Sequence, residues 1–324
     1  MPEHDRVIAV DLGGTNIRVA IVDREGKIDQ FRSRAAAAGD GVEAVLDRIV
    51  AMISEVAVHG DMASGTPVGV VAPGPLNPDE GLVYFAPNLP GWHDVPLGKT
   101  LSERLERTVV IGNDANCAAL GESMFGAAKN VDNLIYLALG TGIGGGIISR
   151  GKLIEGKRGL GAEVGHVSIA AEGPPCHCGG TGCLEAYSSG WAIARAGEMA
   201  VRSNRSERIA KATGKDPVSA EAIAEAARGG DPVARTIFYR AGRALGVGLG
   251  GLINLFNPEM VVIGGGLAEA GDLLLTPMRD TLPGYAMPEM LADVTIERSA
   301  LGTDTGIYGA AARAFAFGYH QDMR

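Results

Sequence analysis

Residues 7–28 read VIAVDLGGTNIRVAIVDREGKI, and this stretch predicts the fold class. Val7–Asp11 is an apolar run that ends in a carboxylate and a glycine turn, and Ile17–Val22 resumes as a second strand. Glu25 and Gly26 then turn the chain into a third strand. The stretch therefore predicts a β-hairpin whose turn is Gly-Gly-Thr.

A second stretch, LIYLALGTGIGGGIISRGKLI at residues 134–154, repeats the same pattern. Its Leu139–Gly142 segment stands where Leu12–Thr15 stands in the first stretch. An internal repeat of this kind implies two related α/β halves, each presenting a glycine hairpin to a shared cleft. Because glycine lets backbone N–H groups approach phosphate oxygens closely, two such hairpins can hold a triphosphate from both sides.

The rest of the chain shows further helix and strand patterns and becomes mainly helical beyond Gly190. Apolar residues at helical spacing predict a helix from about Gly41 to Val58, and a buried strand follows at Val68–Val71. The later predicted elements are a helix from Asp231 as N-cap, with Pro232 at N1, to about Phe256, a strand at Met260–Gly266 and a last helix at about Thr305–Phe317.

Composition and charge exclude several classes of function. The 324 residues are 46% hydrophobic and 21% charged, which is ordinary for a soluble globular protein, and the formal charge of −9 argues against a nucleic-acid partner. The N-terminal MPEHDRVIAVDLGG lacks a signal-peptide pattern, and the most apolar long segment, Leu245–Phe256, is too short to span a bilayer. We therefore expect a cytoplasmic protein with no membrane partner.

Two glycine motifs look like the nucleotide-binding fingerprints of other folds. Gly140–Gly145 matches the dinucleotide pattern G-x-G-x-x-G, but that pattern must open a helix, whereas Gly146–Ser149 continues as a strand. Leu97–Thr100 resembles the end of a Walker A loop, but His93 stands where that motif needs its first glycine. We therefore reject an NAD site and predict an ordinary helix start near Thr100.

An Asn-Asp pair, Asn113 and Asp114, follows an apolar strand from Val109 and precedes a predicted helix at Ala115–Phe125. From this motif alone Asp114 is most simply the helix N-cap, since its side chain can accept hydrogen bonds from the first N–H groups. The alternative is a general base, because α/β proteins usually place their chemistry at the carboxyl end of a strand. Cys117, on the apolar face of the helix, is interpreted as a small buried residue.

Three of the four cysteines lie within residues 176–183, downstream of a histidine. Cys176, Cys178, Cys183 and His166 offer three thiolates and one imidazole, which is a complete donor set for tetrahedral Zn²⁺. Because four protein ligands leave no open coordination position, the metal is predicted to be structural. The rival interpretation, a redox pair, fits poorly with a C-x-C spacing, a third cysteine and a histidine.

These motifs together resemble the ROK family of bacterial sugar kinases and regulators, within the actin-like ATPase superfamily. The resemblance spans residue 7 to about residue 310. It is carried by DLGGTN from Asp11, APGP at Ala72–Pro75, NLPGW from Asn88, NDAN from Asn113, LGTGIGGG from Leu139, and the segment from Glu163 through C-x-C-G-x-x-G-C-L-E to Glu185.

The resemblance implies a duplicated α/β fold of the actin-like ATPase (ribonuclease H-like) type, with two domains around a central cleft. The smaller domain is expected at 1–120, completed by the C-terminal helix at about 305–324. The larger domain is expected at 121–304 and carries a zinc loop at 163–185.

The resemblance also implies a reaction, the ATP-dependent phosphorylation of a hexose, with glucose as the first expected substrate and Asp114 as the base that takes the proton of its primary hydroxyl. The residues implied to contact the sugar are Gly74, Asn88, Asn113, Asp114, Glu163, His166 and Glu185. Those implied to hold ATP and Mg²⁺ are Asp11, Gly13, Gly14, Thr15, Asn16, Gly140, Thr141, Gly142, Gly144, Gly264, Gly265 and Gly266. His166 then belongs to the sugar set and to the zinc set, because an imidazole has two nitrogens.

The family leaves alternatives open. Fructose, mannose, allose and N-acetylmannosamine kinases share the same contact residues, and some relatives use polyphosphate, although the chain has no basic strip to favour it. Family repressors carry a winged-helix domain before the kinase-like part, and a hairpin that begins at residue 7 leaves no room for one. A non-catalytic sugar sensor is disfavoured by the intact Asp11 and Asp114. A homodimer or homotetramer is expected from the resemblance.

Overall fold

The computed structural model describes residues 4–321, with side chains as far as residue 316. Residues 1–3 of the predicted smaller domain and residues 322–324 of the predicted C-terminal segment lie outside this range. By its internal contacts the chain forms two units. The first unit comprises Met1–Val131, Gly146–Ala162 and Ser299–Arg324, and the second comprises Asp132–Gly145 and Glu163–Arg298.

Strands and α-helices alternate along the described chain. Their order is β1 (Arg6–Leu12), β2 (Asn16–Asp23), β3 (Ile28–Ala35), α1 (Val42–His59), β4 (Val68–Ala72), β5 (Leu76–Asn77), β6 (Leu82–Phe85), β7 (His93–Val95), α2 (Leu97–Leu105), β8 (Val109–Asn113), α3 (Asp114–Met124), β9 (Leu134–Leu139), β10 (Ile143–Ser149), β11 (Lys152–Leu153), α4 (Glu185–Ser188), α5 (Gly190–Arg202), α6 (Glu207–Thr213), α7 (Ala220–Arg228), α8 (Pro232–Phe256), β12 (Met260–Gly264), α9 (Asp272–Thr281), α10 (Pro288–Asp293), β13 (Thr295–Arg298) and α11 (Thr305–Gln321).

The first unit is built on a five-stranded sheet of order β3-β2-β1-β4-β8. Strands β1, β2 and β3 form the predicted antiparallel hairpins, while β1, β4 and β8 run parallel to one another. Parallel strands end at the same edge of a sheet, so Asp11, Ala72 and Asn113 come to one edge. A small sheet of order β5-β6-β7 completes the strands of this unit.

Apolar clusters cover both faces of this sheet. Ile8 and Val10 of β1 join a cluster with α1, whereas Val7 and Ala9 join a cluster with α11. This alternation is the period of two that a strand imposes, and it explains why the run from Val7 is apolar without a break. Helices on both faces of a mostly parallel sheet give the α/β layer architecture expected from the sequence.

The predicted repeat belongs to both units, because residues 134–145 lie in the second and residues 146–154 in the first. Strand β9 lies in a sheet of order β11-β10-β9-β12-β13, in which β9, β12 and β13 are parallel. The G-x-G-x-x-G segment leads into strand β10 and not into a helix, so the rejection of an NAD fingerprint is confirmed. The chain passes from the second unit to the first within β10, at Gly146.

The longest helix, α8, begins where the sequence predicts. Asp231 is its N-cap and accepts a hydrogen bond from Ala234 N at 2.8 Å, and Pro232 occupies the first turn. The helix ends at Asn257, which adopts a left-handed conformation with φ 43°. In the described part of the chain, neither α8 nor any other helix has the length and apolarity needed to cross a membrane.

We predict that Gly69→Ala destabilises the first unit by about 2–3 kcal/mol. Gly69 lies on β4, where a methyl group would overlap the carbonyl oxygen of Ala310 in α11 and come within 2.8 Å of its carbonyl carbon. Neither backbone can move without disturbing the sheet or the helix. The free energy of unfolding in urea measures the effect.

Gly39→Ala is the matched control for this exchange. Gly39 is exposed in the same unit, and a methyl group there meets nothing within 4 Å. Its unfolding free energy should change by less than about 0.5 kcal/mol. Equal losses in the two variants would mean that the contact between α11 and β4 tolerates a side chain.

Candidate active site and metal centre

The carboxyl end of β1 leads into a tight glycine turn. Gly13 N donates to Asn16 O at 2.9 Å, which closes the turn, and Thr15 O accepts from Ala36 N at 2.7 Å. Thr15 and Asn16 are exposed, so their side chains are accessible to a ligand. A methyl group on Gly14 would lie 2.6 Å from Asn88 Cβ, so the absence of a side chain lets the Asn88 loop approach the turn.

Asp11, at the start of this turn, is partly buried beside the first residues of α11. A methyl group on Gly306 would come within 2.6 Å of Asp11 Oδ2, and Arg18 Nη1 lies 3.8 Å from the same oxygen. Burial raises the pKa of the Asp11 carboxyl, Arg18 lowers it, and the nearby charges of Asp114 and Asp304 raise it further. The balance leaves a carboxylate whose charge is only partly compensated.

The Asn-Asp pair corrects the assignment of the helix cap. The N-cap of α3 is Asn113, whose Oδ1 accepts from Ala115 N at 3.0 Å and Asn116 N at 3.2 Å, so the prediction that Asp114 caps the helix is wrong. The parallel pairing of β8 with β4 carries the strand through Asn113, which leaves Asp114 as the first helical residue. Asn113 Nδ2 also donates to Gly74 O at 3.2 Å.

Asp114 is therefore free of the capping role. Its side chain is accessible to solvent, yet the surrounding protein disfavours its charged form and raises the pKa of the carboxyl. Hydrogen bonds from Ala115 N, at 2.9 Å, and from Asn113 oppose this shift. A reachable carboxylate with a raised pKa is the kind of group that serves as a general base.

Gly74 and Asn88 lie on the loops that follow β4 and β6. Gly74 has a φ of +86°, and a side chain there would overlap Phe85 O, so the loop requires glycine at this position. Asn88 is exposed. In the first unit the structure thus brings the predicted residues Asp11–Asn16, Gly74, Asn88 and Asn113–Asp114 to neighbouring strand ends and loops.

Glycines form the corresponding edge of the second unit. The turn after β9 is closed by Gly140 N donating to Gly142 O at 3.0 Å, Thr141 is exposed, and Gly144 is the second residue of β10. The end of β12 approaches this turn, because a methyl group on Gly265 would lie 2.7 Å from the carbonyl carbon of Leu139. Gly264, before it, abuts Tyr136, and Gly266, after it, faces open space.

The predicted donor set comes together in the second unit. One ligand atom from each of His166, Cys176, Cys178 and Cys183 lies within 4.8 Å of the others, and the cysteines are free thiols. Cys176 Sγ is 3.7 Å from His166 Nδ1, and Cys178 Sγ is 3.7 Å from Cys183 Sγ. Tetrahedral zinc, with Zn–S of about 2.3 Å and Zn–N of about 2.0 Å, separates its ligand atoms by roughly 3.5–3.8 Å. These two distances fit a zinc ion, and all four ligand atoms lie within 4.8 Å of one another.

Hydrogen bonds connect the backbone and the thiols in the segment that carries these cysteines. Cys176 N donates to Gly180 O at 2.9 Å, and Gly180 N donates to Cys178 Sγ at 3.4 Å. The bond from Gly180 lowers the pKa of the Cys178 thiol, whereas burial raises the pKa of the Cys183 thiol to about 12. Binding of a divalent cation releases the thiol protons and offsets this cost.

His166 and Glu163 belong to one short helical turn, Val164–His166. Glu163 is exposed at the start of the turn, and His166 N donates to its carbonyl oxygen at 3.0 Å. Because His166 Nδ1 faces Cys176 Sγ, the Nε2 atom is the ring nitrogen left for another partner. The two roles predicted for His166 thus fall on different ring nitrogens: Nδ1 faces the cysteines, and Nε2 is left for a sugar hydroxyl.

Glu185 begins α4, two residues after Cys183. Its Oε2 accepts from Ile143 N at 2.8 Å, and its Oε1 accepts from Trp191 Nε1 at 3.2 Å. Cys176 Sγ lies 4.0 Å from the same Oε1. The carboxylate thus connects the cysteine cluster with the glycine turn after β9.

Sequence reasoning missed the residues that hold the predicted ones in place. Arg18, which faces Asp11, is seven residues away on the returning strand of the hairpin, and the antiparallel register that pairs them was available from the turn position. Trp191 contacts Glu185 because helix α4 ends before Ser189 and helix α5 begins after it, which turns the chain between the two residues. No spacing rule predicts that contact.

The sequence is similar to known proteins over nearly all of its length. A model described as the ROK family matches residues 7–316. The glucokinase of Thermotoga maritima is 41% identical over 307 residues, which cover 94% of this chain and 96% of that protein. The xylose repressor of Caldicellulosiruptor bescii is 32% identical over 311 residues, which cover 94% of this chain and 77% of the repressor.

Similarity also extends to a solved structure. The crystal structure of a ROK family glucokinase from Streptomyces griseus in complex with glucose and AMPPNP matches with a TM-score of 0.78 and 36% sequence identity. The match covers 94% of this chain and 98% of that one.

We predict that Asp11→Asn stabilises the protein at neutral pH. The pKa of Asp11 is raised in the folded state, so its ionised form costs stability once the pH exceeds that raised pKa, and the cost is absent below the ordinary carboxyl value of 3.8. The unfolding free energies of variant and wild type should therefore converge as the pH falls and separate as it rises. Asp5→Asn, an exposed carboxyl of the same unit, should show no such divergence. Parallel pH profiles for wild type and Asp11→Asn would contradict the prediction.

Proposed function

Because the chain belongs to the ROK family, we propose that it transfers the γ-phosphoryl group of ATP to a hexose, with glucose as the preferred acceptor. The predicted α/β fold, that of the actin-like ATPases, is confirmed by the similarity to the solved ROK glucokinase. The observation that carries the proposal is an accessible carboxyl with a raised pKa at Asp114, which lies at the same edge of the sheet as Asp11, with strand β4 between them. The identity of 41% to a glucokinase supports sugar phosphorylation. Glucose as the preferred acceptor is the more specific part of the proposal.

Asp114 is the proposed general base. Its carboxylate accepts the proton of the primary hydroxyl while the hydroxyl oxygen forms a bond to the γ-phosphorus, and the bond from that phosphorus to the bridging oxygen breaks to release ADP. The raised pKa makes Asp114 a stronger base than an ordinary aspartate. Hydrogen bonds from Ala115 N and Asn113 fix the orientation of the carboxylate at the start of α3.

The two glycine turns are the proposed phosphate-binding elements. Gly13, Gly14, Thr15 and Asn16 follow Asp11 in the first unit, and Gly140, Thr141, Gly142 and Gly144 occupy the matching turn of the second. Their unsubstituted backbone suits close approach of N–H donors to phosphate oxygens. Gly264, Gly265 and Gly266 are proposed to border the adenine.

A magnesium ion that accompanies ATP would neutralise phosphate charge during transfer. Asp11 fits that ion, because magnesium is usually held by one or two carboxylates through retained waters. Burial is the main cause that raises the pKa of Asp11, and Arg18 opposes the shift, so a bound cation would further favour the ionised carboxylate.

Polar residues of both units are proposed to read the sugar. Gly74, Asn88, Asn113 and Asp114 belong to the first unit, and Glu163, His166 and Glu185 belong to the second. The Asn113 side chain accepts from the first turn of α3 and hydrogen-bonds both Gly74 O and Asp114, so its proposed contact with a sugar hydroxyl shares an amide group that these bonds already orient. These residues would distinguish epimers of the sugar, because a protein acceptor that the wrong epimer leaves without a hydrogen bond weakens binding by about 1–3 kcal/mol.

A structural zinc ion is proposed at the cluster of His166, Cys176, Cys178 and Cys183. The ion supplies a fixed crosslink and no Lewis-acid position, because its four ligands come from the protein. What it fixes is the loop that leads to Glu185 and the ring angle of His166, whose Nε2 is then presented to a hydroxyl.

A regulatory role is the second candidate, since a xylose repressor is 32% identical to this chain. The identity to a glucokinase is higher, at 41%. Asp114 favours the kinase, because a sensor that only binds sugar has no use for a base with a raised pKa.

The proposal predicts ATP-dependent formation of glucose 6-phosphate by the purified chain. A coupled assay for ADP over glucose, fructose, mannose, allose and N-acetylmannosamine, with ATP and polyphosphate as donors, ranks kcat/KM for each pair. The highest value is expected for glucose with ATP. Sugar binding without turnover of any hexose by either donor would favour the regulator.

Asp114→Asn is the control variant for that assay. It keeps the shape of the side chain and the acceptor for Ala115 N, but it removes the base. Its kcat should fall by about 10²–10⁴-fold while glucose affinity, measured by calorimetry, stays within a few-fold of wild type. A variant that retains a tenth of the wild-type rate would remove Asp114 from the base role.

Removal of the metal should weaken both folding and sugar binding. Cys178→Ala is expected to lose bound zinc, lower the unfolding temperature and weaken glucose affinity, because structural zinc contributes on the order of 10 kcal/mol to its site. Zinc content by elemental analysis and glucose binding by calorimetry are the measurements. The control variant Cys117→Ala changes a buried cysteine outside the cluster, and the protein should retain its zinc ion. Zinc loss with unchanged glucose affinity would show that His166 is not shared between metal and sugar.

A further inference from the structure

We propose that Trp191 is a positioning residue that holds the carboxylate of Glu185 in its sugar-reading orientation. The proposal rests on the proposed function for the role of Glu185 itself. Trp191 Nε1 donates to Glu185 Oε1 at 3.2 Å, while Ile143 N donates to Glu185 Oε2 at 2.8 Å. Each carboxylate oxygen is thus held by its own fixed donor.

Two donors on two oxygens set the plane of the carboxylate. Rotation about the last torsion of Glu185 breaks both hydrogen bonds, whereas a single bond would leave the group free to swing. A carboxylate oxygen has about two acceptor positions, so Oε2, which accepts from Ile143 N, keeps one for a hydroxyl group, whereas Oε1 accepts from Trp191 Nε1 and also lies 4.0 Å from Cys176 Sγ. Trp191 therefore orients Glu185 without consuming its capacity to bind sugar.

Trp191 holds the glycine turn as well as the carboxylate. Its backbone N donates to Thr141 O at 3.1 Å, and the preceding Gly190 N donates to Gly140 O at 2.9 Å. The turn lies directly on Glu185, because a methyl group on Gly142 would come within 2.5 Å of Glu185 Oε2. The proposed phosphate turn and the proposed sugar carboxylate are therefore tied together through one residue.

The indole ring is itself fixed by its neighbours. The His177 ring stacks on it with centroids 4.2 Å apart and planes 28° apart, and the Arg195 guanidinium lies 4.9 Å from its centroid. Arg195 is anchored in turn, because its Nη2 donates to Ala186 O at 3.2 Å. His177 stands between Cys176 and Cys178, so the ring adjoins the cysteine cluster. The rings and side chains packed around the indole therefore keep the Trp191 Nε1–H directed at Glu185 Oε1.

Trp191→Phe tests the proposal because it keeps an aromatic ring for stacking and removes only the N–H donor. We expect glucose affinity, measured by calorimetry on the full chain, to weaken on the order of tenfold, with kcat at saturating glucose changed less than threefold. Glu198→Gln is the matched control, since Glu198 lines the same surface cavity as Trp191, about 420 Å³ in volume. It should bind glucose as the wild type does.

A double-mutant cycle with Glu185→Gln separates positioning from a general structural effect. An amide has only one acceptor oxygen for the two donors, so Trp191→Phe should weaken glucose binding less than threefold in that background. A tenfold loss in both backgrounds would overturn the proposal, because the effect would not pass through Glu185. Unchanged affinity in the single variant would overturn it equally.

The same measurements distinguish this proposal from the proposed function. If the wild type binds a hexose but does not phosphorylate it, the kinase assignment fails and the affinities still test Trp191. If the wild type phosphorylates glucose and Trp191→Phe binds it normally, only the positioning role fails.

Discussion

The close packing of α11 against the first sheet is the constraint on which the site of the first unit depends. The helix approaches β4 at Gly69, Asp11 at Gly306, and the backbone of α3 at Gly309, where a methyl group would lie 2.7 Å from Cys117 O. These three contacts leave no space for a side chain, and they bring the end of the chain onto its first strand. Helix α11 therefore packs against both the end of β1, which carries Asp11, and helix α3, which begins at Asp114 after β8.

In the second unit, hydrogen bonds made by one segment, and not the packing of a helix on a sheet, hold the predicted site residues in place. Its predicted polar residues lie on short elements and not on strand ends: His166 ends a single helical turn, and Glu185 begins the four-residue helix α4. The segment from Cys183 to Trp191 instead joins the cysteine cluster, Glu185 and the turn after β9 by short-range hydrogen bonds. A metal crosslink at one end and an aromatic stack at the other would make this irregular segment as rigid as a strand end, which is what precise reading of hydroxyls requires.

The sequence predicted those features whose cause is local. The two hairpins follow from apolar runs broken by glycine, α8 follows from its cap and proline, and the four metal donors follow from ligand chemistry at a short spacing. The cap of α3 was assigned to Asp114 and belongs to Asn113, because both residue types suit a cap and only the pairing of β8 with β4 decides where the strand ends. The contact of Trp191 with Glu185 depends on tertiary packing in the same way, whereas the pairing of Arg18 with Asp11 follows from the register of the hairpin.

Electrostatics connects the fold with the proposed reaction. Asp11 is near the negative charges of Asp114 and Asp304 and near the positive charge of Arg18. Arg18 Nη1 also donates to Thr303 O at 2.6 Å. Burial is the main cause that raises the pKa of Asp11, and the charges of Asp114 and Asp304 add to it. Under the proposed function, a magnesium-bound nucleotide would bring positive charge to these carboxylates and offset the cost of ionising them, and the raised pKa of Asp114 would make it a stronger base.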